Sequence, residues 1–144
     1  MKKSLLILLL VLISFNCFAQ ETFPNIASHW LRAAPPNAMM LAAYGELSNE
    51  TGEDKILIGA FSPDFNMAEI HKTIVTDGVA RMVHQEQLTI KPGAKLLFKP
   101  GGLHIMLMHP TAKIKVGEEV KICLIYQQGD KEIVQHIMFP VIKK

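Results

Sequence analysis

The chain has 144 residues, 49% of them apolar, with 15 Lys and Arg against 13 Asp and Glu. That is enough chain for one domain with its own core. A net charge of +2 offers no basic face to nucleic acid or to an anionic membrane.

The first segment reads as an export signal. Lys2 and Lys3 form a short basic stretch, residues 5–15 are almost wholly apolar, and Cys17-Phe18-Ala19 supplies small residues at a cleavage site. Cleavage is expected after Ala19, so residues 1–19 form a signal peptide and residues 20–144 one domain. Lipidation at Cys17 is the alternative, although Ser14-Phe15-Asn16 is a poor approach to a lipoprotein cysteine. The apolar run falls short of the ~20 residues of a bilayer span. The expected product is periplasmic, with no stable membrane insertion after cleavage. Removing the signal takes two lysines with it and leaves 13 basic against 13 acidic side chains. It also leaves a single cysteine, Cys123, which excludes an intrachain disulfide.

The rest reads as all-β. Short apolar and β-branched runs at 40–47, 55–61, 68–75, 79–84, 95–98, 103–108, 120–127 and 133–141 alternate with turn signals. Those signals include Ser62-Pro63-Asp64, Lys91-Pro92-Gly93, Pro100-Gly101-Gly102 and Gln128-Gly129-Asp130. Asp77-Gly78 between two alternating runs predicts a tight hairpin. Seven or eight strands at this spacing predict a Greek-key sandwich or barrel.

Four residues on that frame carry the chemistry: His71, Met82, His104 and Met106. Ten residues separate the first two, twenty-one separate Met82 from His104, and His104-Ile105-Met106 closes the set. Two imidazoles and two thioethers suit Cu(I), because thioether sulfur is soft, polarisable and uncharged. Unlike a thiolate, it has no proton to lose and cannot be locked into a disulfide in an oxidising compartment. His104 and Met106, two apart on a strand, share a face. The Asp77-Gly78 hairpin is expected to carry Met82 back towards His71.

Glu69-Ile70-His71-Lys72-Thr73, Gly78-Val79-Ala80-Arg81-Met82 and Leu88-Thr89-Ile90-Lys91-Pro92-Gly93 resemble the PCuAC family of periplasmic copper chaperones. So does the run from Leu97-Phe98-Lys99 through Pro100-Gly101-Gly102 to Leu103-His104-Ile105-Met106-Leu107. The family's histidine–methionine–histidine–x–methionine spacing is met at every interval. Upstream, Trp30-Leu31-Arg32-Ala33-Ala34-Pro35-Pro36 fits its amino-terminal pattern, and Val116-Gly117-Glu118 fits its last loop. The resemblance implies a cupredoxin-like β-sandwich that binds Cu(I) through His71, Met82, His104 and Met106. It further implies copper delivery to cytochrome c oxidase. The partner is then the CuA-bearing subunit or a Sco-like thioredoxin-fold protein. Copper buffering or resistance without a dedicated oxidase target is the alternative.

The remaining histidines and methionines are open to two readings. Met108 follows the phase of His104 and Met106, with His109 next, and reads either as a further ligand or as packing at a sheet edge. His84 shares a strand face with Met82 and is a supporting group. Met39-Met40 reads as a strand entering the core, with a soft docking surface as the alternative. His136-Ile137-Met138 repeats the His-x-Met spacing, so it offers a second, weaker copper site or merely two residues of one strand face. His29 and Met67 belong to no evident constellation. Electron transfer of the blue-copper type needs a thiolate in a His2Cys set. Cys123 has no His or Met closely after it and is expected in the core as a small hydrophobe. No nucleophile elbow, His-Glu-x-x-His or phosphate-cradling glycine loop is present, so an enzyme is not expected.

Overall fold

The computed structural model describes residues 22–144; the expected signal peptide and Cys17 lie outside the described residues. Ten strands follow one another: β1 (Asn25–Arg32), β2 (Met40–Ser48), β3 (Lys55–Phe61), β4 (Phe65–Thr76), β5 (Val79–His84), β6 (Leu88–Ile90), β7 (Lys95–Phe98), β8 (Leu103–Pro110), β9 (Glu119–Gln128) and β10 (Lys131–Ile142). There is no helix among them. The count exceeds the expected seven or eight by β1 and β6. In β1 the period of two breaks at a bulge between Ala27 and Trp30, where Ser28 has φ 50°, so strict alternation hides it. β6 has three residues, too few to register as a pattern.

The strands run β5-β4-β8-β7-β2-β1-β10-β9-β3-β6 across the sheet, with β8 also paired directly to β2. β10 joins the two halves of the sandwich. Its length from Lys131 to Pro140 pairs with β9, and its end at Val141 and Ile142 pairs with β1. Alternation places one side of each strand in a shared core. Ile70, Ile105, Leu107, Leu41 and Ala43 come from the first half, and Val120, Ile122, Leu124, Tyr126 and Phe139 from the second. Burial this complete pushes the Tyr126 hydroxyl far above its ordinary pKa, and its proton goes to Gln135 Oε1 at 3.0 Å. Asp77-Gly78 makes the expected two-residue turn. Both residues have positive φ, 52° and 76°, and Thr76 pairs with Val79 across it, as a type I′ hairpin requires.

Cys123 is buried as expected, 1% exposed, but it stands outside the main apolar cluster: it alternates with Ile122 and Leu124 and so lies on the other side of β9. There it pairs with His136, whose Nδ1 sits 3.1 Å from its Sγ. Desolvation pushes the thiol pKa up, with Lys121 opposing, so at neutral pH it is a thiol and not a thiolate.

Asn49, fully buried, ties the two halves together just beyond β2. Its amide donates to Glu53 O and to Ile90 O at 2.8 and 2.6 Å, and its Oδ1 accepts from Thr51 N and Oγ1. Its backbone bonds Ala94 O and Gly93 N. Truncating it strands the buried Ile90 carbonyl, at about 1–3 kcal/mol, and breaks the part-buried bonds to Glu53 and Thr51 as well. Asn49→Ala is expected to lower stability by about 3 kcal/mol in chemical denaturation; a loss below about 1 kcal/mol would mean that water replaces these bonds.

Candidate metal centre

All four expected ligands lie on one side of the sheet, the side facing away from the core. Antiparallel pairing of β4 with β8 sets His71 directly opposite His104, and Glu69 opposite Met106. Directly opposed residues share a face, and the two imidazole centroids are 6.0 Å apart. In the β4–β5 hairpin His84 stands opposite His71, and Met82 opposite Thr73. Met82 is therefore a diagonal neighbour of His71 on the same face. Met82, His104 and Met106 line one cavity of about 520 Å³, together with Met40, Thr73, Pro100 and Gly101.

Hydrogen bonding fixes which nitrogen of each imidazole is available. His104 Nδ1 lies 3.1 Å from Gly102 O. A carbonyl only accepts, so Nδ1 carries the proton and Nε2 keeps its lone pair. That Nε2 is buried and has no hydrogen-bond partner among the described residues. His71 Nε2 lies 2.7 Å from Glu69 Oε2, and an ionised carboxylate likewise only accepts. The lone pair of His71 is then on Nδ1, which is also buried and unpartnered. Two neighbouring imidazoles thus present unsatisfied lone pairs, each held in its tautomer by an acceptor on the other nitrogen. That is the usual device for orienting a metal-ligating histidine. His29 Nδ1 is similarly unpartnered, but its ring packs on Phe139 at 4.9 Å and it does not line the cavity.

Exposure rises across the site. His104 is 5% exposed and Met82 58%, with Met106 between them. The floor is built by the loop before β8. Gly102 O accepts from Thr73 N at 3.1 Å as well as from His104, so one carbonyl ties that loop to β4 and aims the ring. Arg32 lines the same cavity with its guanidinium 5.5 Å from the Trp30 ring and 5.3 Å from the Tyr44 ring. Arg32 thus brings a positive charge to the cavity, while Glu69 stands against His71.

Three groups at the site, Glu69, His84 and Met40, were not among the expected ligands. Glu69, His71 and His84 bring ligand atoms within 4.8 Å of one another, and His84 Nδ1 is 3.6 Å from Glu69. Glu69 is two residues before His71 on a strand, so period-two alternation alone was enough to place it here. Met40 was expected in the core but is 61% exposed and lines the cavity. Met39 is 54% exposed. The run 40–47 is indeed a strand, but its even positions face outward because Leu41 and Ala43 take the inner face. Met108 does not sit at a sheet edge, since β8 is paired on both sides. His136 and Met138 lie on β10, in a different part of the sheet order. There His136 is occupied by Cys123, and the backbone carbonyl of Met138 accepts from His29 Nε2 at 3.0 Å.

The family described as "Putative lipoprotein LpqE-like" matches residues 25–139. The chain belongs to the LpqE-like family. A protein of Leifsonia xyli subsp. xyli, itself named as a lipoprotein, is 30% identical over 106 residues, 73% of this chain and 63% of its own length. The protein RP573 of Rickettsia prowazekii is 32% identical over 94 residues, 65% of this chain and 52% of its own. The chain thus spans roughly half to two thirds of these relatives. Among solved structures, Cu(I)-bound DR1885 from Deinococcus radiodurans is 29% identical with a TM-score of 0.63, covering 85% of this chain and 81% of that one. The copper-bound PCuAC domain from PmoF2 is 21% identical with a TM-score of 0.65, covering 87% and 99%; at that identity it speaks for the fold alone. The fold of this LpqE-like chain is a cupredoxin-like Greek-key sandwich.

The tautomer assignment has a direct readout. Long-range ¹H–¹⁵N correlation on the ring of His104 is expected to show Nδ1 protonated and Nε2 bare; the reverse pattern would mean that the ring is not aimed by Gly102.

Proposed function

We propose that this protein binds one Cu(I) ion through His71, Met82, His104 and Met106 and carries it as cargo in the bacterial envelope. The observation that carries the reading is the pair of buried, unpartnered imidazole nitrogens, His71 Nδ1 and His104 Nε2, on directly opposed residues beside two thioethers. Hard cations would leave thioether sulfur unused, whereas a soft monovalent ion takes both donor types. The Cu(I)-bound state of the similar DR1885 supports the choice of metal.

Carriage, rather than storage or turnover, is supported by the gradient of exposure. The buried imidazole of His104 anchors the ion, while Met82 stands at the rim where an acceptor can reach it. A neutral thioether gives way readily to a thiolate, so ligands exchange one at a time and the ion is never free. The reduced ion passes from donor set to donor set without change of charge, and no group of the protein is consumed. Blue-copper electron transfer is disfavoured because Cys123 is on β9, protonated and paired with His136. For the acceptor we propose the CuA-bearing subunit of cytochrome c oxidase or a Sco-like thioredoxin-fold protein, reached in the periplasm after removal of residues 1–19. Copper buffering without such a target is the competing reading.

Competition titration against a Cu(I) chelator is expected to show His104→Ala weaker by on the order of 100-fold, with the fold intact. Glu69→Ala should be weaker by roughly tenfold through the loss of His71's orienting acceptor. Unchanged affinity in His104→Ala would remove this residue from the site. For the acceptor, a deletion strain is expected to lose oxidase activity under copper limitation; sensitivity to copper excess alone would favour buffering.

A further inference from the structure

The core contains no methionine. None of the seven methionines among the described residues belongs to the buried cluster or to the apolar residues packed against it. This is unusual use of a residue that normally fills irregular gaps in cores. Five of the seven, Met40, Met67, Met82, Met106 and Met108, instead lie on the outward side of β2, β4, β5 and β8. Met82 and Met106 belong to the centre described above. The other three form a row of their own: Met67 on β4 is directly opposite Met108 on β8, and Met108 is directly opposite Met40 on β2.

We propose that Met40, Met67 and Met108 form a second site for a soft monovalent cation, a three-thioether Cu(I) site adjoining the His71–His104 centre. Neighbouring strands are about 4.8 Å apart, so the two outer methionines flank Met108 within reach of side chains that have three rotatable bonds. All three are solvent-accessible, Met40 at 61% and Met67 at 48%, with Met108 intermediate. A solvent-facing strand face is ordinarily polar. Three uncharged sulfurs in register there offer no attraction to hard cations, and a donor set that only a soft ion satisfies.

The row is placed for transfer. Met108 is two residues from Met106 on the same face, a rise of about 6.5–7 Å, and Met40 lines the cavity that holds Met82, His104 and Met106. An ion held by the row therefore has a ligand of the main centre beside it and one row member already in that cavity. Cu(I) moves between the two by exchange of neutral donors, with no electron or proton transferred. This transfer role rests on the copper reading of the main centre; the existence of the row site does not.

The test is an Ag(I) titration of the purified protein carrying ¹³C-methyl methionine, followed by NMR. Ag(I) serves as a redox-inert soft probe. The first equivalent is expected to move the methyls of Met82 and Met106, and the second those of Met40, Met67 and Met108 together. Met67→Leu with Met108→Leu, a volume-conserving pair of changes, should weaken the second equivalent by at least about tenfold and leave the shifts of Met82 and Met106 as they were. Equal binding of two equivalents by this variant, or a second equivalent that moves Met39 or Met138 instead, overturns the proposal. Stationary Met82 and Met106 methyls with a moving row would sink the main-centre reading and leave the row site standing.

Discussion

The site depends on the register between β4 and β8. Because side chains alternate, a slip of one residue in β4 would turn His71 and Glu69 into the core and bring Ile70 out to solvent. The core forbids it. Ile70 pairs with Ile105, and Ala68 with Leu107, on the inner face, and each fully buried Ile or Leu is worth about 1.5–3 kcal/mol relative to exposure. A slip of two would keep the faces but mispair the imidazoles. Bonds at both ends of the pair oppose that: Thr73 N to Gly102 O at one end, Thr111 N to Asp64 O at the other. The same apolar residues that fold the protein thus position ligands they never touch.

Much of this was readable from the sequence, for identifiable reasons. The hairpin at Asp77-Gly78 is dictated by residues that tolerate positive φ, and it determines which residues of β5 face His71. The shared face of His104 and Met106 follows from period two alone. Harder to read was whatever depends on a neighbour distant in sequence. Met40 looks like a core residue because it begins an apolar run; only its pairing with Met108 across β8 shows that it faces out. The burial of Cys123 was readable, but local pattern does not show that it lies outside the main cluster, on the side of β9 away from Ile122 and Leu124. The aiming role of Gly102 resides in a carbonyl, which sequence does not single out. β1 was hidden by its bulge at Ser28.

Folding and ligand chemistry use separate residues on opposite sides of the same strands. The buried cluster is aliphatic and aromatic, without methionine, while sulfur and imidazole collect on the outer face. Side chains on the ligand face can therefore be exchanged without opening a cavity, which is why substitutions there probe binding with little effect on stability. The exception is His104, whose burial makes it part of the floor as well as a donor.

That burial has an energetic consequence. A buried polar atom without a partner costs about 1–3 kcal/mol, and His71 Nδ1 and His104 Nε2 are two such atoms on directly opposed residues. Hydrogen bonds to Glu69 and Gly102 hold each ring in the tautomer that creates this cost, so turning the ring to relieve it would break a bond of similar worth. If these residues take an ion as proposed, the donors are consequently oriented before it arrives, and little ordering remains to oppose binding. A cation accepting both lone pairs removes the cost and stabilises the fold by linkage. The exposed thioether of Met82 has no such cost to relieve. On the proposed copper reading, tight anchoring therefore falls to the imidazoles and easy exchange to sulfur, a division of labour set by how deeply each residue is buried.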